Sequence, residues 1–163
     1  MTRPSHDTFA EPLRTTGAWA VWWRISYRLL RLLGRPVMGL ALRLGFANIV
    51  VLRVAGRHTG RERALPLGLL VVDGGRYVGH PDGDTGWTLN VRAASTVTVE
   101  SARLPRTDFR PALLPHGLER DAVVRATFRQ HPFPGNLIYR LAAAHVASTG
   151  VFFRLEPIEG RSI

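Results

Sequence analysis

The spacing of apolar residues along the chain changes character at about residue 48. Residues 17–44 carry apolar positions at helical spacing, with a break expected at Gly34-Arg35-Pro36. From residue 48 the period becomes strand-like. Ile49-Val50-Val51-Leu52-Arg53-Val54 and Leu65-Pro66-Leu67-Gly68-Leu69-Leu70-Val71-Val72 are β-branched and apolar runs, and glycines bound the loop between them. They predict two strands joined by a tight loop. Asp73-Gly74-Gly75 is a hairpin turn leading to Arg76-Tyr77-Val78-Gly79, and His80 to Gly86 is a loop. Thr85 is placed to cap a short helix over 87–94. Thr96-Val97-Thr98-Val99 alternates as a half-buried strand, and Arg103–Leu113, interrupted by Pro105, is its expected partner. Helical spacing returns over 118–129, a further short helix is expected over 136–146, and Val151-Phe152-Phe153-Arg154-Leu155 closes the series as a strand. Strands joined by tight hairpins predict a mainly β fold, an antiparallel barrel or sandwich with helices at its rim. Residues 1–16 read as a loose polar tail, 17–44 as an amphipathic helical segment, and 48–158 as the one folded domain.

At 163 residues the chain is long enough to bury a real core. There is no cysteine, which excludes disulfides and thiolate metal sites and fits a reducing cytoplasm. The first apolar segment follows Arg14 without a cleavage context, so no leader is expected. The formal net charge is +10, and all 22 basic residues are arginine. That balance favours anionic partners: a phosphorylated cofactor, an acidic membrane face or nucleic acid. Aromatic residues interleaved with arginines on a sheet face, which nucleic-acid binding would want, are not seen. In the 17–44 segment Arg24, Arg28, Arg31 and Arg35 form a stripe beside Trp19, Trp22 and Trp23. This pattern suits either a helix packed on the domain or peripheral contact with an anionic membrane at the inner face of the cell.

The chemistry is concentrated in Gly56-Arg57-His58-Thr59-Gly60-Arg61-Glu62-Arg63, where three arginines fall within seven residues of a hairpin tip. Backbone N–H groups freed by glycine turns and forked guanidinium groups suit a phosphate; the other reading is a solvated basic tip. Histidines at metal-ligand spacing, a G-x-S-x-G elbow, a G-x-G-x-x-G loop and a P-loop lysine are all missing. The remaining inventory suits an enzyme whose hard chemistry belongs to a bound cofactor.

These motifs resemble the deazaflavin-dependent nitroreductases and quinone reductases, which use coenzyme F(420), an 8-hydroxy-5-deazaflavin. Members share a G-R-x-[ST]-G-x-x-R-x-x-P loop between two strands, a D-G-x turn, and a W-x-x-N-[LV]-[KR]-A segment leading into a V-x-V strand. Here the corresponding residues are Gly56–Pro66, Asp73-Gly74-Gly75, Trp87-Thr88-Leu89-Asn90-Val91-Arg92-Ala93 and Val97-Thr98-Val99, and Val151–Pro157 resembles the closing strand. The resemblance implies a split β-barrel of the FMN-binding type with an N-terminal helix. It places Arg57, Thr59 and Arg63 along the cofactor's phosphodiester and carboxylate tail. His58, Gly60, Leu65 and Pro66 complete that loop and strand, and Trp87 and Asn90 lie beside the deazaflavin. Tyr139 is the candidate proton or hydrogen-bond donor to the acceptor. His58 stands where many members carry lysine, Asp82 and Asp84 stand where the family has basic or small residues, and the family's tyrosines three apart correspond to Phe133, Asn136 and Tyr139. The implied activity is hydride transfer from reduced coenzyme F(420) to a planar acceptor such as a quinone or nitroaromatic. The alternative is a non-catalytic binding protein for a deazaflavin, flavin, haem-like or lipid ligand, with FMN as the alternative cofactor. A monomer is expected, with a dimer left open.

Overall fold

In a computed structural model of the chain, Val21 and residues 48–131 and 135–158 are described. The tail expected at 1–16, the segment expected at 17–44 with its arginine stripe, and Phe133 lie outside the described residues, Val21 apart. Alternation in the sequence becomes a single sheet of seven strands in the order β2-β1-β5-β6-β7-β4-β3, with β1 Ile49–Ala55, β2 Glu62–Gly68, β3 Leu70–Val72, β4 Gly75–His80, β5 Val97–Glu100, β6 Thr107–Leu113 and β7 Val151–Pro157. Every pairing is antiparallel. The two outermost strands, β2 and β3, are consecutive in the chain and separated only by Leu69, whose N–H donates to the Asn48 carbonyl at 2.7 Å. A strip whose two edges are halves of one bent strand must curl round on itself. The result is the split barrel that the family resemblance implies, and it decides for a barrel where the strand pattern left barrel or sandwich open.

Side-chain alternation fills the barrel. Val50, Leu52 and Val54 of β1, Val97 and Val99 of β5, Phe109 of β6, and Val151, Phe153 and Leu155 of β7 point inward with Leu69 and Val78. The intervening residues of β4 and β7, Tyr77 and Phe152, face outward into a second cluster beneath the helices. Gly79, opposite Phe152, leaves the space that the Phe152 ring fills. Asp73 (φ 49°) and Gly74 (φ 80°) make the tight β3–β4 turn, in the left-handed conformation such a turn demands.

Four helices complete the described fold: α1 Gly86–Ala93, α2 Leu118–Gln130, α3 Gly135–Leu141 and α4 Ala143–Thr149. Two expectations are corrected. The strand expected at 65–72 bends at Leu69, because Leu69 packs into the barrel while Leu70 packs under the helices. The single helix expected over 136–146 is two, turning at Ala142 (φ −94°, ψ 16°), which brings Ala142 and Val146 together into the second cluster. The partner of β5 begins at Thr107, with Pro105 in the preceding turn.

Candidate functional site

The β1–β2 tip is closed by its own backbone. The Gly56 N–H donates to the Arg61 carbonyl at 2.9 Å, and the N–H groups of Thr59 and Gly60 both donate to the Gly56 carbonyl, at 3.1 and 2.7 Å. Gly60 adopts φ 66°, which costs an L-residue about 1 kcal/mol or more. Gly56 continues the inward face of β1, and a Cβ there would lie 3.0 Å from Thr59 Oγ1 and 3.2 Å from Arg63 Nε. Arg63 shares the inward face of β2 with Leu65 and Leu67, which pack on the barrel cluster. Its guanidinium therefore lies over Gly56, at the end of the barrel. Pro66 and His58 are exposed.

Helix α1 is brought against this tip by a small polar network. The Thr85 N–H donates to Thr88 Oγ1 at 2.7 Å, the Thr88 hydroxyl donates to Asp84 Oδ1 at 3.1 Å, and Asp84 pairs with Arg92 at 2.9 Å. One turn in, the buried Asn90 presents its amide oxygen to the tip. Asn90 Oδ1 accepts from the Arg57 backbone N–H and from Arg57 Nη1, each at 3.2 Å, and Arg57 Nη1 also reaches the Gly86 carbonyl at 3.4 Å. The structure thus brings Arg57, Asn90 and the first turn of α1 together. Asn90, matched in the sequence as a residue beside the ligand, has its oxygen committed to Arg57, which leaves its Nδ2 donor for any ligand.

Positive charge is concentrated at this tip, where three arginines fall within seven residues. Arg53 pairs with Glu100 and Glu62 at 2.6 and 3.0 Å, and Arg154 with Glu119 and Glu156 at 3.0 and 2.9 Å. No carboxylate among the described residues pairs with Arg57, Arg61 or Arg63. Asp82 and Asp84, the acids on the neighbouring loop, are both engaged: Asp84 as above, and Asp82 with His145 Nε2 at 2.8 Å. Three guanidinium groups and the Thr59 hydroxyl make a donor set that suits an anionic ligand. Trp87 is half-buried on the barrel cluster, its ring edge-on to His80 with centroids 6.3 Å apart. Burial pushes the His80 pKa down, a shift that Asp82 partly opposes.

Tyr139 stands elsewhere. It packs against the second cluster on α3, with its ring centroid 4.4 Å from that of His131. His131 in turn approaches Gly68, which lies six residues along β2 from Glu62, about 20 Å at ~3.3 Å per residue. Tyr139 therefore belongs to the far end of β2, and the arginines to the near end. Asn136, on the same helix, is half-buried. His131 and Asn48 escaped sequence reasoning because nothing in their local pattern signals a meeting across β2. A surface depression of about 410 Å³ at the β5–β6 turn is lined by Val51, Glu100, Ser101, Leu104, Pro105 and Arg106, and none of the tip arginines touches it. Among the described residues no cluster of His, Asp and Glu is arranged to hold a metal ion.

No protein-family model and no curated protein sequence matches the chain. Solved structures do share its fold. An F(420)-H2 dependent reductase (FDR-A) is 21% identical, with 67% of this chain and 94% of that chain aligned at a TM-score of 0.52. A chain described as a domain-swapped dimer is 19% identical, aligned over 80% of this chain and 99% of its own, also at 0.52. HutZ, a haem storage protein from Vibrio cholerae, is 14% identical, aligned over 77% and 91% at 0.52.

Proposed function

We propose that the protein is a deazaflavin-dependent oxidoreductase that passes a hydride from reduced coenzyme F(420) to a planar organic acceptor such as a quinone or nitroaromatic. The observation that carries this reading is the tip itself: three arginines without carboxylate partners among the described residues, one of them held by Asn90 against the first turn of a helix. Charge-assisted bonds to an anion contribute about 1.5–3 kcal/mol each, enough together to anchor a phosphorylated tail. The likeness in fold to an F(420)-H2 dependent reductase supports the same reading.

The bound coenzyme supplies the hydride. The chain's own residues anchor and orient. Arg57, Arg63 and Thr59 bind the tail's anionic groups, Gly56 and Gly60 let the backbone come close, and Trp87 and the Asn90 Nδ2 flank the ring. Tyr139 lies at the far end of β2 from these residues, so no part in the hydride step is assigned to it. The test is oxidation of reduced coenzyme by a panel of quinones and nitroaromatics. Tyr139→Phe should leave both the coenzyme affinity and the rate unchanged, because its hydroxyl lies at the far end of β2 from the tip. Coenzyme binding without turnover on any acceptor would favour a second reading, a binding protein on the same barrel. Asn136 in place of a family tyrosine and the haem storage protein among the structural neighbours speak for that alternative.

A further inference from the structure

The outward face of the helical layer carries positive charge and apolar surface that the fold itself does not use. From Ala122 to Leu155 the sequence has no aspartate or glutamate. Helix α2 buries Val123, Val124 and Thr127, and its opposite face presents Leu118, Arg125 and Arg129, spaced seven and four residues apart. Helix α3 packs Ile138 and Tyr139 on the second cluster and turns Leu137, Arg140 and Leu141 outward. The two helices pack on each other, so these residues share one layer. The leucines are strongly exposed, at 88% for Leu118, 49% for Leu137 and 69% for Leu141. Arg125, Arg129 and Arg140 are exposed too, and among the described residues none of them has a carboxylate partner. Of the two carboxylates on these helices, Glu119 is held by Arg154 and Tyr77, and Asp121 sits in the first turn of α2, where the helix dipole favours it.

We propose that this α2–α3 face docks on an anionic lipid bilayer, with Leu118, Leu137 and Leu141 entering the boundary between headgroups and acyl chains and Arg125, Arg129 and Arg140 pairing with the headgroup anions. The leucines protrude and do not line a groove, which suits a soft apolar layer and not an inserted peptide. The long arginine stem keeps the guanidinium at headgroup level while a neighbouring leucine reaches deeper. Unpaired arginines supply the attraction to a negative surface. A second copy of the chain is a poor occupant. A two-fold contact would set three arginines against three, with one Asp121 on each side to offset them. The chain also enters the described fold beside this layer. Asn48 follows the segment that carries Trp19, Trp22, Trp23 and the arginine stripe, and Asn48 Nδ2 and the His131 ring at the end of α2 both flank Gly68. Two weak attachments hold a protein at a bilayer where one is marginal.

The probes are vesicles of phosphatidylcholine with and without phosphatidylserine, added to full-length protein at low salt and without coenzyme. We expect partition onto the vesicles that contain phosphatidylserine and release as salt rises. Replacing two arginines together, Arg125→Gln with Arg129→Gln, should lower that partition roughly thirtyfold, the effect of two cations lost near an anionic surface. Both side chains are exposed, so the variant should melt with wild type. Because the chain has no cysteine, Leu141→Cys takes a single environment-sensitive fluorophore. Its emission should shift to the blue on vesicles that contain phosphatidylserine, while the same label at Arg103→Cys, on the exposed β5–β6 turn outside the helical layer, should not move. The label separates this face from residues 17–35 and from the arginine tip, since binding through either of those alone leaves position 141 in water. Absence of vesicle binding, binding without a shift at 141, an unchanged partition in the double variant, or a shift at 141 that follows protein concentration without vesicles, as for a second copy, would each overturn the proposal.

Discussion

Asn90 Oδ1 accepts two hydrogen bonds from Arg57, across 33 residues of sequence, and in doing so fixes where the guanidinium sits. Asn90→Ala would free the tip without removing any cation, whereas Arg63→Ala removes a cation that nothing else compensates. We expect Arg63→Ala to weaken coenzyme binding at least tenfold, with a larger loss at low salt, where screening is weaker. Asn90→Ala should cost less affinity and show the same salt slope as wild type. A fluorescence titration at two ionic strengths separates these outcomes. The sequence motif marks both residues, yet the role of Asn90 as a clamp was not legible, because it arises from a contact between elements that the chain places far apart. The buried histidines add a pH dependence. His80 and His131 have pKa values held below the ordinary 6.5 by burial. The unfolded chain therefore binds protons more readily as pH falls through about 6.5, and stability present above that value is lost below it. Thermal melts between about pH 8 and pH 5 should show falling stability, with a smaller fall in His80→Gln and His131→Gln.

At the scale of elements, Arg120 ties the helical layer to the barrel. It is 3% exposed, it donates to the carbonyls of Ala147 and Gly150 at 2.6 Å each, and its guanidinium lies 5.7 Å from the Phe152 ring centre. These carbonyls close the C-terminal end of α4, where a cation is favourable. Arg120→Met should cost about 3 kcal/mol, from the loss of two charge-assisted bonds at roughly 1.5–3 kcal/mol each, less the relief of a buried charge. A fall of about 6–12 °C in Tm would follow for a domain of this size. An unchanged melting temperature would show that Arg120 does not brace this layer. A β-branched apolar run made β1 legible and period-two alternation made β5 legible, and Asp73-Gly74-Gly75 marked its turn by chemistry alone. The bend at Leu69 and the break at Ala142 were not legible. Gly68 precedes the first without specifying a bend, no glycine or proline stands at the second, and tertiary packing decides both, sending Leu69 into one cluster and Ala142 into the other.

For the molecule as a whole, the barrel closes because the two edge strands β2 and β3 follow one another across Leu69, and the arginine tip and the His131–Tyr139 pair lie at opposite ends of β2. Among the described residues no helix is long and apolar enough to cross a membrane. The peripheral membrane contact proposed for residues 17–35 lies outside them; anionic vesicles should float with the full-length protein at low salt and release it at high salt, and failure to bind at low salt would refute it. Strand spacing and turn chemistry made an antiparallel barrel or sandwich legible and the family resemblance narrowed it to the split barrel, while the ligand depends on what the unpaired arginines hold. That claim is tested most directly by titrating purified full-length protein with coenzyme F(420) and, separately, with FMN. The account predicts saturable binding of coenzyme F(420), tighter than FMN and weakened at least tenfold by Arg63→Ala. Absence of coenzyme binding, or an affinity indifferent to Arg63, would contradict it.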